Sequence, residues 1–162
     1  MYRIGQAELD ELKQVIEAKS LFKVNSGMQE SMKVEAKLRE AFNCTNAIFM
    51  TSGHAALVAA LTALGIGPGD EVIVPAYTYI ATAMAVVQAG AIPILADVDD
   101  TLTISPVDAE TKITKRTKAI IPVHIQGFPC NMDAMMQLAE KYHIAIIEDA
   151  CQADGGQFGG KR

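Results

Sequence analysis

Three short segments carry residue types that chemistry needs. In Ile146-Ile147-Glu148-Asp149-Ala150-Cys151-Gln152, an apolar run delivers two carboxylates at its end. An unpaired charge in an apolar setting is costly, so Glu148 or Asp149 is expected to have a specific partner. A protonated ring nitrogen is one candidate, and a helix cap or a solvated surface position is the competing reading. In Thr51-Ser52-Gly53-His54-Ala55, a turn of small residues opens a helix. Free N–H groups at the positive end of a helix suit a phosphate. Taken alone, an ordinary cap by Thr51 or Ser52 in front of Gly53 is the simpler reading. In Val74-Pro75-Ala76-Tyr77-Thr78-Tyr79, aromatic residues stand where a strand runs out. A ring there can lie flat on a planar ligand, although core or rim packing is again simpler.

Other candidates are weaker. Asp97, Asp99 and Asp100 cluster, but Asp-Val-Asp-Asp lacks the spaced oxygens and turn glycine of a calcium loop and reads as a solvated turn. His54, His124 and His143 are scattered, with no zinc-ligand spacing. Cys151 has no basic activator nearby and reads as a small buried cysteine rather than a nucleophile. Met135-Met136 reads as core on a helix after Pro129.

The elements that must position these segments follow from periodicity. Ala7 to Lys19 and Met28 to Phe42 place apolar residues at helical spacing. The loop Val24-Asn25-Ser26-Gly27 separates them, with Ser26 as a candidate N-cap. Beyond Cys44 short apolar runs (Ala47–Met50, Glu71–Val74, Ile92–Leu95, Ala119–Val123, Ile144–Ile147) alternate with helical ones (Ala55–Leu64, Ile80–Ala89, Met132–Tyr142). Such alternation predicts βαβ units and a largely parallel sheet. Gly65-Ile66-Gly67-Pro68-Gly69-Asp70 supplies a turn where one is needed. The expected class is α/β, with a helical arm over residues 1–45 and a sheet domain over 46–162. In such sheets ligands sit beyond the carboxyl ends of the strands, where all three segments fall.

Composition narrows the function. Of 162 residues, 50% are apolar and 20% charged, which excludes a disordered chain. The net charge of −5 lacks the basic footprint of a nucleic-acid binder. Uncharged stretches such as Val72 to Pro93 contain Pro, Thr, Gln and Gly, so no membrane partner is expected. The polar, acidic opening does not read as a signal peptide. Three cysteines (Cys44, Cys130, Cys151), an odd number without close pairing, suit a reduced, cytoplasmic setting. No G-x-G-x-x-G follows the first strand, which leaves a flavodoxin-like or Rossmann-type binding module without support.

Taken in order, these segments resemble the DegT/DnrJ/EryC1/StrS family of sugar aminotransferases. The matching residues include Thr51-Ser52-Gly53, Leu64 to Ile73, Pro75-Ala76-Tyr77-Thr78, Ala81-Thr82-Ala83, Arg116 to Ile120, Pro122-Val123-His124 and Glu148-Asp149-Ala150. The resemblance implies an aspartate-aminotransferase-like large domain (PLP fold type I), truncated, with pyridoxal 5'-phosphate (PLP) as cofactor. It implies transfer of an amino group from glutamate or glutamine to a keto-sugar or keto-cyclitol, and a homodimer. Residue by residue, Gly53 and His54 fall in the phosphate turn, and Tyr79 on the residue that stacks on the ring. Asp149 matches the partner of the pyridine nitrogen, and Gln152 a group near the phenolic oxygen. The family usually has Thr at His54, which leaves open whether a ring nitrogen serves the phosphate or the ring points away. The Schiff-base lysine is expected downstream of Arg162, since Lys161 lies in a Gly-Gly-Lys-Arg turn without that duty. The chain alone is therefore expected to be inactive and to bind the cofactor at most weakly. A sugar dehydratase, with His in place of that lysine, and a non-catalytic regulatory member are the alternatives within the family.

Overall fold

A computed structural model describes residues 4–19, 21–22 and 30–160. The loop Val24–Gly27, its cap Ser26, the first residues of the helix expected from Met28, and Lys161 lie outside the described residues. The chain divides into two compact units, Met1–Phe49 and Met50–Arg162.

The first unit holds two helices, α1 (Gln6–Glu17) and α2 (Glu30–Phe42). Helix α1 begins where the Glu8 carboxylate accepts the Gly5 N–H at 2.6 Å, which satisfies one of the donors a helix start leaves orphaned. Its apolar stripe, Leu9, Leu12 and Ile16, is exposed. In α2, Glu35 is buried and its carboxylate accepts the Phe49 N–H at 2.8 Å. That bond corrects one expectation. Residues 47–50 form no strand among the described residues, and Glu35 takes a donor that a sheet ladder would have used.

The second unit is a four-stranded, all-parallel sheet in the order β2-β1-β3-β4. Its strands are β1 (Glu71–Pro75), β2 (Ile92–Ala96), β3 (Thr117–Ile120) and β4 (Ala145–Ile146). The central strand β1 is buried along its whole length, as expected when helices cover both faces of a parallel sheet. Alternation divides its side chains. Val72 and Val74 join Leu57, Leu61, Ala85 and Val86 from α3 (Gly53–Ala63) and α4 (Ala81–Gln88) on one face. Ile73 joins Ala109, Met135 and Leu138 from α5 (Pro106–Thr111) and α6 (Met132–Tyr142) on the other.

The expected alternation is observed, with differences at the margins. The last two strands are shorter than the apolar runs, although Ile147 N–H and Asp149 N–H still bond to the Ile120 and Pro122 carbonyls at 3.0 and 2.9 Å. Helix α5 was not anticipated; Ser105 caps it, with Oγ accepting the Asp108 N–H at 3.3 Å, and Pro106 opens it. The glycine-rich turn ends α3 as expected, with Gly65 at φ +72° and Gly69 at φ +92°, conformations that favour glycine. Met135 is core, but Met136 one position on is exposed, because a helix turns consecutive residues to different faces.

Candidate functional site

The C-terminal ends of β1, β3 and β4 and the first turns of α3 and α4 enclose one cleft. Its walls include Gly53, His54, Tyr79, Asp149 and Gln152, so all five expected residues line the same space. Thr78, Thr82 and Cys151 line it as well.

Asp149 is fixed from every side. Its backbone continues the parallel pairing beyond β4, opposite Val123, and its carbonyl accepts the His124 N–H at 3.1 Å. The residue is buried, 7% exposed. Oδ2 accepts the Thr82 hydroxyl at 2.9 Å, and Oδ1 accepts the Cys151 N–H at 3.2 Å. Each oxygen keeps a lone pair for a ligand.

The phosphate turn lies against the same residues. Ser52 is the N-cap of α3, with Oγ accepting the Ala55 N–H at 3.1 Å. The N–H groups of Gly53 and His54 find no acceptor among the described residues, so two donors remain at the positive end of an eleven-residue helix. Gly53 is favoured by space: a Cβ there would stand 2.7 Å from the Cys151 sulfur, so one of the two would have to shift. The His54 ring turns away from this anion site onto α4. Nδ1 lies 3.3 Å from the Ala81 carbonyl and Nε2 2.6 Å from the Gln88 carboxamide. His54 therefore offers the cleft its backbone N–H, while its imidazole joins two helices.

Tyr79 stands at the mouth, 70% exposed, so core packing does not account for it. Gln152 is caught by its own oxygen, which accepts the Gln126 N–H at 2.7 Å. That bond assigns the carboxamide's orientation and leaves its NH2 as a donor. Gln126 adopts φ 53° inside the short turn Ile125–Gly127, and its side chain reaches the Tyr77 hydroxyl at 3.5 Å.

Two titratable groups in or beside the cleft are shifted. Burial, then the hydrogen bond and charge of Asp149, push the Cys151 thiol up to about 11. The residue is exposed, not buried as its neighbours in sequence suggested, and a thiol so raised is a poor nucleophile. Behind the cleft, buried His124 lies 3.0 Å from the Glu148 carboxylate. The Cys130 side chain, then Glu148, push the His124 pKa up to about 9 against burial, which lowers it. The Cys130 N–H donating to Nδ1 at 3.0 Å opposes that rise, since the nitrogen accepts only while unprotonated. This geometric constraint decides the tautomer: Nδ1 accepts, and Nε2–H donates to Glu148.

Both carboxylates at the strand end thus have partners, and they diverge: Glu148 turns to His124 and Asp149 to the cleft. Sequence reasoning gave no role to Thr82, Thr78, Gln126 or the His124–Glu148 pair. A buried threonine three residues after Tyr79 was the available signal. A larger groove between α5 and α6, bordered by the Glu110–Lys141 ion pair at 2.7 Å, lies away from these groups. Among the described residues, no group of three or more His, Cys, Asp or Glu is arranged to hold a metal, and no helix is long and apolar enough to cross a membrane.

Fold and cleft together define a parallel α/β domain with a cleft beyond its strand ends, where ligands bind in sheets of this kind. The chain belongs to the DegT/DnrJ/EryC1/StrS aminotransferase family, whose pattern matches residues 3–162. It is 48% identical over 131 residues to a UDP-N-acetyl-3-dehydro-alpha-D-glucosamine 3-aminotransferase of Acidithiobacillus ferrooxidans, covering 79% of this chain and 35% of that protein. It is 45% identical over 129 residues to the dTDP-3-amino-3,4,6-trideoxy-alpha-D-glucose transaminase of Streptomyces venezuelae, covering 79% of this chain and 34% of that protein. Among solved structures, NtdA from Bacillus subtilis with bound cofactor PMP superposes with a TM-score of 0.85 at 36% identity, over 97% of this chain and 36% of that one. The chain thus spans about a third of the length of the curated relatives it matches. The aspartate-aminotransferase-like α/β architecture is the one expected from the sequence.

Proposed function

We propose that the protein carrying this sequence is a PLP-dependent aminotransferase and that residues 50–160 hold its cofactor. On this reading it moves an amino group from glutamate or glutamine to a keto-sugar or related keto-cyclitol and works as a homodimer. One observation carries the proposal: a buried carboxylate, Asp149, shares a cleft with two unengaged helix-start N–H groups and the open ring of Tyr79. These are complementary to the three parts of PLP, a basic ring nitrogen, a phosphate and a flat aromatic face.

The residues present offer the chemistry the group requires. The Gly53 and His54 N–H groups would take the phosphate, aided by the positive end of α3. Asp149, held on both oxygens, would keep a proton on the ring nitrogen. The Tyr79 ring would cover one face of the cofactor and exclude water from it. Gln152, its oxygen already occupied, would donate its NH2 to the phenolic oxygen. When bound, PLP supplies an electron sink that eases removal of a proton from the carbon beside the transferred nitrogen. The names of both curated relatives, each a sugar transaminase, support the acceptor class.

The test is PLP titration of the intact protein, followed through the visible spectrum before and after borohydride. A bound chromophore that reduction fixes covalently is expected. Asp149→Ala is expected to abolish transamination and to weaken PLP binding at least about tenfold, the effect of losing a charged hydrogen-bond partner. A well-folded intact protein whose spectrum never changes refutes the reading, and unaltered turnover in Asp149→Ala refutes the role of that carboxylate.

A further inference from the structure

Thr82 is 1% exposed, and a buried hydroxyl must find partners. It finds two. Its hydroxyl donates to Asp149 Oδ2 at 2.9 Å, and its oxygen lies 3.0 Å from the Thr78 hydroxyl. Since Thr82 has a single proton and spends it on the carboxylate, Thr78 must be the donor in the second bond. The direction of the chain is therefore fixed: Thr78 donates to Thr82, and Thr82 donates to Asp149. The sequence makes the chain possible by placing Thr78 before α4 and Thr82 at its second position, so that one turn of chain stacks the hydroxyls.

We infer that this two-threonine chain decides on which side the proton between Asp149 and a ring nitrogen resides. Thr82 is a positioning residue that acts through Asp149, and the inference rests on the cofactor reading above. The argument concerns proton affinity. A hydroxyl donating to a carboxylate stabilises the anion relative to the neutral acid, and a second hydroxyl behind it polarises the first. In a pair that shares one proton, stabilising the carboxylate leaves the proton on the ring nitrogen and keeps the ring cationic. Without the hydroxyl the carboxylate anion has one donor where it had two, so the balance moves toward a proton on the carboxylate and away from the charge that makes the ring an electron sink. The Cys151 N–H on the other oxygen orients Asp149 but stays in place when Thr82 is changed. The effect of Thr82 on the proton can therefore be separated from its effect on position.

The experiment loads the intact protein with PLP labelled with nitrogen-15 in the ring and reads the ring-nitrogen chemical shift. Wild type and Thr82→Ser, which keeps the hydroxyl, are expected at the pyridinium position. Thr82→Val, nearly isosteric but without a donor, is expected to move the signal toward neutral pyridine. Thr78→Val, less buried and milder, is expected to move it part of the way in the same direction. Thr82→Val is also expected to weaken PLP binding about tenfold. If Thr82→Val fails to fold, Thr78→Val carries the test. A wild-type protein that binds no PLP overturns the cofactor reading and this inference together. Binding with a pyridinium signal unchanged in both valine variants overturns this inference alone, as does a Thr82→Ser signal at the neutral position.

Discussion

Gly53→Ala tests how the phosphate turn is built, because two opposing effects meet at one atom. The residue is the first of α3, and its backbone is helical, so alanine is conformationally welcome. On that ground alone the substitution stabilises by up to about 1 kcal/mol, the usual difference between the two residues in a helix. Against this, the new Cβ would stand 2.7 Å from the Cys151 sulfur, with no other atom outside its own chain neighbours within 4 Å. Overpacking of this kind costs about 1–3 kcal/mol. The sulfur ends a side chain with one rotatable bond and can swing aside, which places the cost in the lower half, about 1–2 kcal/mol. The net effect in wild type is then between neutral and about 2 kcal/mol destabilising. In a Cys151→Ala background the obstructing atom is gone and only the gain remains. Gly53→Ala should therefore become stabilising there, a difference of about 1–2 kcal/mol between backgrounds. Urea unfolding of the four proteins measures it, with the midpoint moving and the slope constant. If Gly53→Ala has the same effect in both backgrounds within about 0.5 kcal/mol, the glycine is not there for the sulfur, and the account of the turn is wrong.

Three further predictions address other contacts. His54→Ala should leave PLP affinity within about twofold of wild type, since the ring bonds to Ala81 and Gln88 and only the backbone faces the phosphate; a loss beyond about fivefold, the worth of one hydrogen bond, would assign the imidazole to the cofactor. Cys151 should alkylate slowly at pH 8: raised from 9.0 to about 11, it has about a hundredfold less thiolate than an ordinary cysteine, offset about tenfold by greater nucleophilicity, for a net lag of about tenfold. Mass-spectrometric labelling of Cys151 at the rate of a free thiol would contradict that. Glu71→Gln should lower the melting temperature, because the Thr114 hydroxyl and the Arg116 guanidinium hold the buried Glu71 carboxyl below its usual 4.5. A carboxyl lowered on folding adds stability that is fully present above 4.5 and is lost as pH falls through the folded value. The gap between wild type and variant should accordingly close in acid, and a gap that persists would mean the group contributes packing rather than charge.

The parts of this molecule that were legible in the sequence are those where residue type alone carries the information. A buried parallel strand reads as a near-continuous apolar run, so Val72, Ile73 and Val74 announce themselves, and Gly65 and Gly69 mark conformations other residues avoid. What was not legible depends on partners that no local pattern encodes. Residues 47–50 carry the composition of a strand, yet the Phe49 N–H goes to Glu35, fourteen positions earlier. Helix α5 has six residues, too few for a helical period to register. His54 reads as a phosphate ligand from its position, while its side-chain bonds lie 27 and 34 residues away.

The same distinction governs the candidate site. Asp149 could be singled out because a carboxylate at the end of an apolar strand needs a partner, but that argument applies equally to Glu148. Register separates them. Asp149 pairs with Val123 across the strand ends, and its side chain enters the cleft between α3 and α4. Glu148, one residue earlier, points to the opposite side, where His124 receives it. A one-residue slip of β4 against β3 would exchange their roles and put the carboxylate without a threonine donor into the cleft. The register is held by backbone bonds on both sides of Asp149, to Pro122 and from His124. The chemistry of the cleft therefore rests on strand alignment as much as on residue identity.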